Sequence, residues 1–273
     1  MRFKMTRIGR WLTGFIGICF FCVGSLWGQS GMSIAANALS RLTGGQLLSD
    51  ITFNGGINYT AGSDHDSGTF TLQATGPDAS AVVFNLSQGR LQWLHGRNNL
   101  VRQAYFVEPD GESRNHTVKS AWADAAWFYP GLGLLSELSD HNAAFEGQLI
   151  AHDLGQISHD GQTVIHLELH LQLNSAQAPI TAIDLAAKRT REDLYLDPAT
   201  LLPVFLDYHE PSAHGQPIRI EVHYGNYQLL HGLEIPFHIQ RWMNGSLVMD
   251  MQVTQAQWNT GISNASFLAG IVN

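Results

Sequence analysis

Thirteen histidines and 23 acidic residues give this 273-residue chain the raw material for metal or acid–base chemistry, and the densest arrangement is His166-x-Glu168-x-His170. Its alternating context makes it a strand. Residues four apart on a strand stand about 13 Å from each other, whereas a metal bond spans about 2 Å, so one ion cannot take all three. The plain reading is a solvated polar sheet face, and no metal is expected. In His209-Glu210-Pro211-Ser212-Ala213-His214 the histidines are five apart and Pro211 forbids the helix that a zinc protease needs. Asp64-His65-Asp66-Ser67-Gly68 begins like a calcium loop, but the third oxygen position and the closing Glu are missing, so it reads as a polar hairpin turn. There is no Gly-x-Ser-x-Gly, phosphate loop or dinucleotide fingerprint, and no cofactor is expected. Asn58, Asn85, Asn115, Asn244 and Asn264 open Asn-x-Ser/Thr triplets, which matter only in a eukaryotic secretory path. Nothing assembles a nucleophile, a base and an oxyanion donor, so the chain is not expected to be an enzyme.

The elements that must position these residues are mostly strands. Residues 194–196, 202–208, 218–227, 233–242 and 247–258 form five runs rich in β-branched and aromatic residues, divided by Pro, Gly or Asn turns, and predict one antiparallel sheet. Upstream, runs at 51–53, 57–60, 69–74, 81–86, 91–94 and 100–107 predict hairpins in series, joined through segments such as 62–68 and 109–111. Strands resume at 145–151 and 163–173. In the latter, Ile165, Leu167, Leu169, Leu171 and Leu173 point to one side while His166, Glu168, His170 and Gln172 point to the other. Ile34, Ala38, Leu39 and Leu42 predict a helix over 33–42, stopped by Gly44-Gly45. Residues 181–191 predict a short helical or irregular crossover. The segment 118–138 is apolar nearly all round, with Asp124 the one charge in its helix. Such a helix either fills the open side of a curved sheet or forms a movable lid over a cavity.

Composition narrows the function. Hydrophobic residues make up 44% of the chain and charged residues 14%, which suits a core-forming protein, and no composition break divides residues 29–273. Arg2, Lys4, Arg7 and Arg10 precede an apolar run over 11–26 that ends in small residues, the pattern of a secretory signal peptide cut after Gly28. The alternative is an uncleaved anchor, since the run approaches the shortest spanning length of about 17 residues. Both cysteines, Cys19 and Cys22, lie in this run, so the mature chain would hold no thiol and no disulfide. Cleavage would also leave 11 basic against 23 acidic residues. An acidic surface argues against nucleic acid as a partner.

One stretch is familiar. Leu194-Tyr195-Leu196-Asp197-Pro198-Ala199-Thr200-Leu201-Leu202-Pro203-Val204 resembles the strand-turn-strand of the bacterial outer-membrane lipoprotein carrier and sorting superfamily. Tyr224-Gly225-Asn226-Tyr227, His231-Gly232-Leu233-Glu234-Ile235-Pro236, Asn244-Gly245 and the tail from Asn259 to Phe267 are similar to that pattern as well. The resemblance covers about a third of the chain, which is larger and more acidic than the carriers and has Leu201 where a glycine is usual. It implies a mainly β (α+β) fold, a half-open antiparallel β-barrel of about ten or eleven strands with an N-terminal helix and helical lid or plug segments. It further implies a periplasmic or secreted, non-catalytic binding protein holding a lipid, an acyl chain or another apolar small molecule on its concave face. Candidate lining residues are Trp122, Trp127 and Phe128 from the helical segment, Ile218, Ile220 and Val222 from one strand, and Leu247, Met249 and Met251 from another, methionine suiting a flexible ligand. These residues are either that lining or ordinary core. The rival function is a cell-envelope sensor or assembly module that binds a protein partner through an exposed patch or a free sheet edge.

Overall fold

The computed structural model describes residues 30–75, 79–98, 101–107, 113–116, 129–133, 135, 138, 148–173, 179–210, 215–263 and 267. The described residues open with a helix, Gly31–Thr43 (α1). The Ser30 hydroxyl accepts a hydrogen bond from the Ser33 amide at 3.2 Å at its start, and Gly44 ends it at a left-handed φ of 58°. Ile34, Ala35, Ala38 and Leu42 give it one buried stripe.

Six strands follow: Ile51–Ala61 (β1), Asp64–Thr75 (β2), Ala79–Leu86 (β3), Gly89–Asn98 (β4), Val101–Val107 (β5) and Ser113–His116 (β6). After the crossing segment come Gln148–His159 (β7) and Gln162–Gln172 (β8), then a second helix, Ile180–Arg189 (α2), and Glu192–Leu196 (β9), Pro203–Glu210 (β10), Ile218–Leu230 (β11), Leu233–Met243 (β12) and Ser246–Trp258 (β13). All lie in one antiparallel sheet of order β6-β5-β4-β3-β2-β1-β13-β12-β11-β10-β9-β8-β7. Each strand pairs with a sequence neighbour, β6 and β7 alone being consecutive and unpaired among the described residues, and the β1–β13 seam joins the two halves of the chain. Among the described residues the order ends at β6 and β7, so the barrel is half-open, as the resemblance implied, with thirteen strands where about ten or eleven were expected.

Local chemistry explains the register. The hairpin turns Asp160-Gly161, His231-Gly232 and Asn244-Gly245 each hold both residues at positive φ, the two-residue turn whose twist matches that of the flanking strands. The two runs expected at 51–53 and 57–60 are one strand, with a register shift at Asn54/Gly55 against β13. Gly55 is needed there, because a Cβ would stand 2.0 Å from the Gln252 carbonyl oxygen. The turn expected over 62–68 contracts to Gly62-Ser63, and Asp64 to Ser67 belong to β2. There the Asp66 carboxylate accepts the amides of Ser67, Ser87 and Gln88, so it fastens the β3–β4 turn.

The core lies on the concave face. It gathers Phe53, Phe70 and Phe84 from the first half, Leu167, Leu194, Leu206 and Ile239 from the second, and Leu42 of α1. Tyr129, Leu132, Leu135 and Leu138, from the segment between β6 and β7, are buried in the same cluster. The Tyr129 hydroxyl donates to the Leu42 carbonyl at 2.7 Å, and its ring meets Phe53 edge to face at 6.2 Å. This part of the segment fills the concave side. Trp122, Trp127 and Phe128 lie outside the described residues.

Candidate functional site

Alternation along each strand decides which side chains enter the concave face. Ile220 and Val222 on β11 and Met249 and Met251 on β13 are buried in the main core. Ile218 and Met243 are half-buried and pack against its rim. Leu247 is half-buried opposite Trp242, beside a register shift at Arg241/Trp242. Ile218, Ile220, Val222, Met249 and Met251 therefore share one face, four of them as packed core, whereas the register shift turns Leu247 to the convex side with its partner Trp242 and sets Val248 against the core.

The end of that face away from α1 is not wholly apolar. Opposed residues share a side of the pleat. Leu169, Glu192, Tyr208 and Ile220 form one inward row, and Leu206, Val222, Arg241 and Met249 another. Glu192 and Tyr208 are each 1% exposed, and Arg241 is 6% exposed. The Arg241 guanidinium lies 3.3 Å from the Glu210 carboxylate and 5.4 Å from the centre of the Trp93 ring, a cation–π contact that reaches from β12 to β4 across the curve of the sheet. Trp93 meets Phe84 edge to face at 5.4 Å, and Tyr59 lies beyond, 6.4 Å from Phe84. Burial, then the nearby Glu192 carboxylate, pushes the Tyr224 phenol well above its usual range. The concave face thus has a plugged apolar end under α1 and Tyr129, and a second end where a buried arginine lies under Trp93, the first ring of a short aromatic chain. Sequence reading missed Arg241 and Glu192, although each continues an inward period of two, after Ile235 and Ile239 or before Leu194 and Leu196.

The convex face departs from the solvated surface expected for His166, Glu168 and His170. His166 Nε2 lies 2.8 Å from the Asp193 carboxylate, and Glu168 pairs with Arg191 at 2.9 Å. The side chains of His166 and His170 are each 16% exposed. Burial, then His152 stacked 5.2 Å away, holds the His170 pKa below its usual value. His166, Tyr195, Phe205 and His223 stack across four strands at 4.5, 4.0 and 5.3 Å. Beside them Glu168, Asp193, Asp207 and Glu221 form a carboxylate row. Arg219 spans Asp207 and Glu221 at 2.7 and 2.9 Å, which offsets the repulsion of like charges on opposed positions. Among the described residues no group of three or more His, Cys, Asp or Glu side chains is placed to hold a metal ion.

The resembling motifs turn out to be turn chemistry. The Asp197 carboxylate accepts the amides of Ala199 and Thr200 and the Thr200 hydroxyl at 2.7–2.9 Å, which accounts for Asp-Pro-x-Thr. The turn closes with Leu201 at φ 61°, a conformation that explains the glycine usual there. The Asp50 carboxylate holds the Thr260 amide and hydroxyl, the Gly261 amide and the Ser49 hydroxyl at 2.8–2.9 Å, fixing the start of the tail to the start of β1.

Comparison with family models finds no match, and none of the curated proteins matches either. Solved structures do match in fold. A LolA superfamily protein from Nitrosomonas europaea aligns at a TM-score of 0.55 and 15% identity, over 88% of this chain and 98% of that one. An outer membrane lipoprotein-sorting protein domain from Vibrio parahaemolyticus aligns at 0.54 and 12%, over 88% and 97%. A DUF1329 family protein from Desulfovibrio piger aligns at 0.52 and 13%, over 88% and 98%. The chain has the fold of these proteins.

Proposed function

We propose that this protein is a non-catalytic binding protein of the cell envelope, a single unit over residues 29–273 that holds a lipid or acyl chain in the concave face of its sheet. The observation that carries the reading is the second end of that face. There the buried Arg241 lies opposite Met249 and under the Trp93 ring, with Phe84 and then Tyr59 packed beyond Trp93, in a sheet whose edge strands β6 and β7 are unpaired with each other among the described residues. Apolar walls with a few placed polar groups are the usual make-up of a small-molecule site. The fold shared with lipoprotein-sorting domains supports the same reading. Secretion to the periplasm with loss of residues 1–28 completes it.

Burying about 14 methylenes at about 0.8 kcal/mol each gives roughly 11 kcal/mol gross, against some 4–15 kcal/mol of lost freedom, so micromolar affinity is expected. Mass spectrometry of lipids extracted from the purified protein tests the proposal, with tryptophan fluorescence on adding long-chain lipids as a second readout. Met249 is 2% exposed, so a charge there would unfold the protein; half-buried Met243 is the better probe. Met243→Asp should weaken the response by about tenfold in a protein that still unfolds cooperatively. No extracted lipid and no fluorescence response across the panel would end the carrier reading.

A protein partner is the second reading, and helix α2 favours it: none of its residues is buried, and Ile180 and Leu185 are 76% and 47% exposed. Ile180→Lys would then abolish capture of an envelope protein and leave any lipid response unchanged.

A further inference from the structure

The convex face carries a feature that lipid binding leaves unused. Cross-strand pairing places Gly225, His238, Gln252, Gly56 and Thr69 in one row over five strands. A glycine inside a strand weakens it, and its usual reasons are a bulge, a bend or the close approach of a ligand or another backbone. Gly55 has such a reason in the Gln252 carbonyl. Gly56 and Gly225, though beside the Asn54/Gly55 register shift and the left-handed Asn226, meet no such close approach and have no positive φ of their own. A Cβ on Gly56 would meet nothing nearer than the Gly68 oxygen at 3.9 Å, and one on Gly225 nothing nearer than His238 at 3.9 Å.

What Gly56 leaves open is a groove of about 420 Å³, walled by Asn58, Ser67, Thr69, Asp250 and Gln252. The groove is shallow and open to solvent, so a ligand would lie along it. At its side, His238 Nε2 lies 2.6 Å from the Asp250 carboxylate, with the two side chains 32% and 27% exposed. In the neutral ring this contact keeps the proton on Nε2 and makes Nδ1 an acceptor. That nitrogen borders the space which a side chain at Gly225 would have taken.

We propose that this groove is a second binding site, for an uncharged, hydroxyl-rich ligand such as a saccharide. Sugar hydroxyls both donate and accept, and so do the amides of Asn58 and Gln252 and the hydroxyls of Ser67 and Thr69. The Asp250 carboxylate accepts only. Among the described residues no lysine or arginine lines the groove, and with the chain's net charge of −8 this disfavours an anion. A pyranose can approach the strand backbone there because Gly56 has no side chain.

The test is a titration of the ¹⁵N-labelled mature protein with trehalose and with N-acetylglucosamine, inorganic phosphate serving as the anionic control. A saturable shift of the Gly56, Asn58, Thr69 and Gln252 amides is expected with a sugar, and a weaker one or none with phosphate. Gly56→Leu brings its Cβ no nearer to the backbone than 3.9 Å from the Gly68 oxygen and sets its branch in the groove. It should weaken sugar binding by about tenfold or more while leaving the melting temperature and the tryptophan response to lipid in place. Asn58→Ala, on an exposed position, should reduce sugar binding in the same direction. No saturable shift with either sugar, a stronger response to phosphate, or sugar binding that survives Gly56→Leu would each overturn the proposal.

Discussion

At the scale of single residues, charge placement does more than the motifs suggest. Asp50 is fully buried and its carboxylate accepts four hydrogen bonds. Burial alone would raise its pKa, but the bonds from Thr260, Gly261 and Ser49 outweigh it and hold it below the usual value. Asp50→Ala should therefore cost about 2–3 kcal/mol in urea denaturation and expose the tail beyond Trp258 to protease. Because the folded pKa is depressed, the stabilisation is complete above the unfolded carboxylate range near pH 3.9 and is lost as the pH falls through the folded value. His170 has the opposite charge logic. Its folded pKa is also depressed, but for a base this means that the neutral form is favoured, so stability is full above about pH 6.5 and declines as acid protonates the unfolded chain first. His170→Gln should flatten the stability profile between pH 6.5 and the folded pKa, which melting curves across that window would detect. For His166, a hydrogen bond to Asp193 and a ring stacked on Tyr195 replace the indifferent wet surface first expected. His166→Ala should cost about 1–2 kcal/mol, and a cost near zero would return it to that surface.

At the scale of elements, the sheet tolerates substitution unevenly along one strand. Gly55→Ala drives a Cβ into the β13 backbone and should destabilise by several kcal/mol, whereas Gly56→Ala next to it should be neutral or stabilising by about 0.5–1 kcal/mol, since alanine suits a strand interior better. Thermal melting of the two variants separates a glycine required by the seam from one that only keeps a surface low. The plug is the other sensitive element. Tyr129→Phe leaves the ring against Phe53 but removes the donor to the Leu42 carbonyl at the end of α1, and should cost about 1–3 kcal/mol.

At the scale of the whole molecule, the β1–β13 seam joins halves that are local in sequence into one sheet. Strands β1 and β13 are paired from Ile51↔Trp258 to Tyr59↔Met249, so removing residues 246–273 would leave β1 and β12 as raw edges. Such a truncation should lose cooperative unfolding and aggregate, as circular dichroism and light scattering would report. The two faces of this sheet have different tasks in the reading advanced above, apolar ligand inside and polar ligand outside, and the Gly56→Leu and Met243→Asp variants should act on one face each.

Strand alternation and turn chemistry made the antiparallel order of β9 to β13 legible from sequence, together with α1 and its Gly44 stop, because these depend on interactions within a few residues. They also placed Ile220, Val222, Met249 and Met251 on a common side. What they could not carry was contact between distant strands. The bulge at Gly55 exists because β13 arrives there, Arg241 is interior because the sheet curls far enough to bring Trp93 above it, and His166 is half-buried because Tyr195 and Asp193 stand on the neighbouring strand. A period of two says which side a residue faces; curvature and pairing decide what waits on that side.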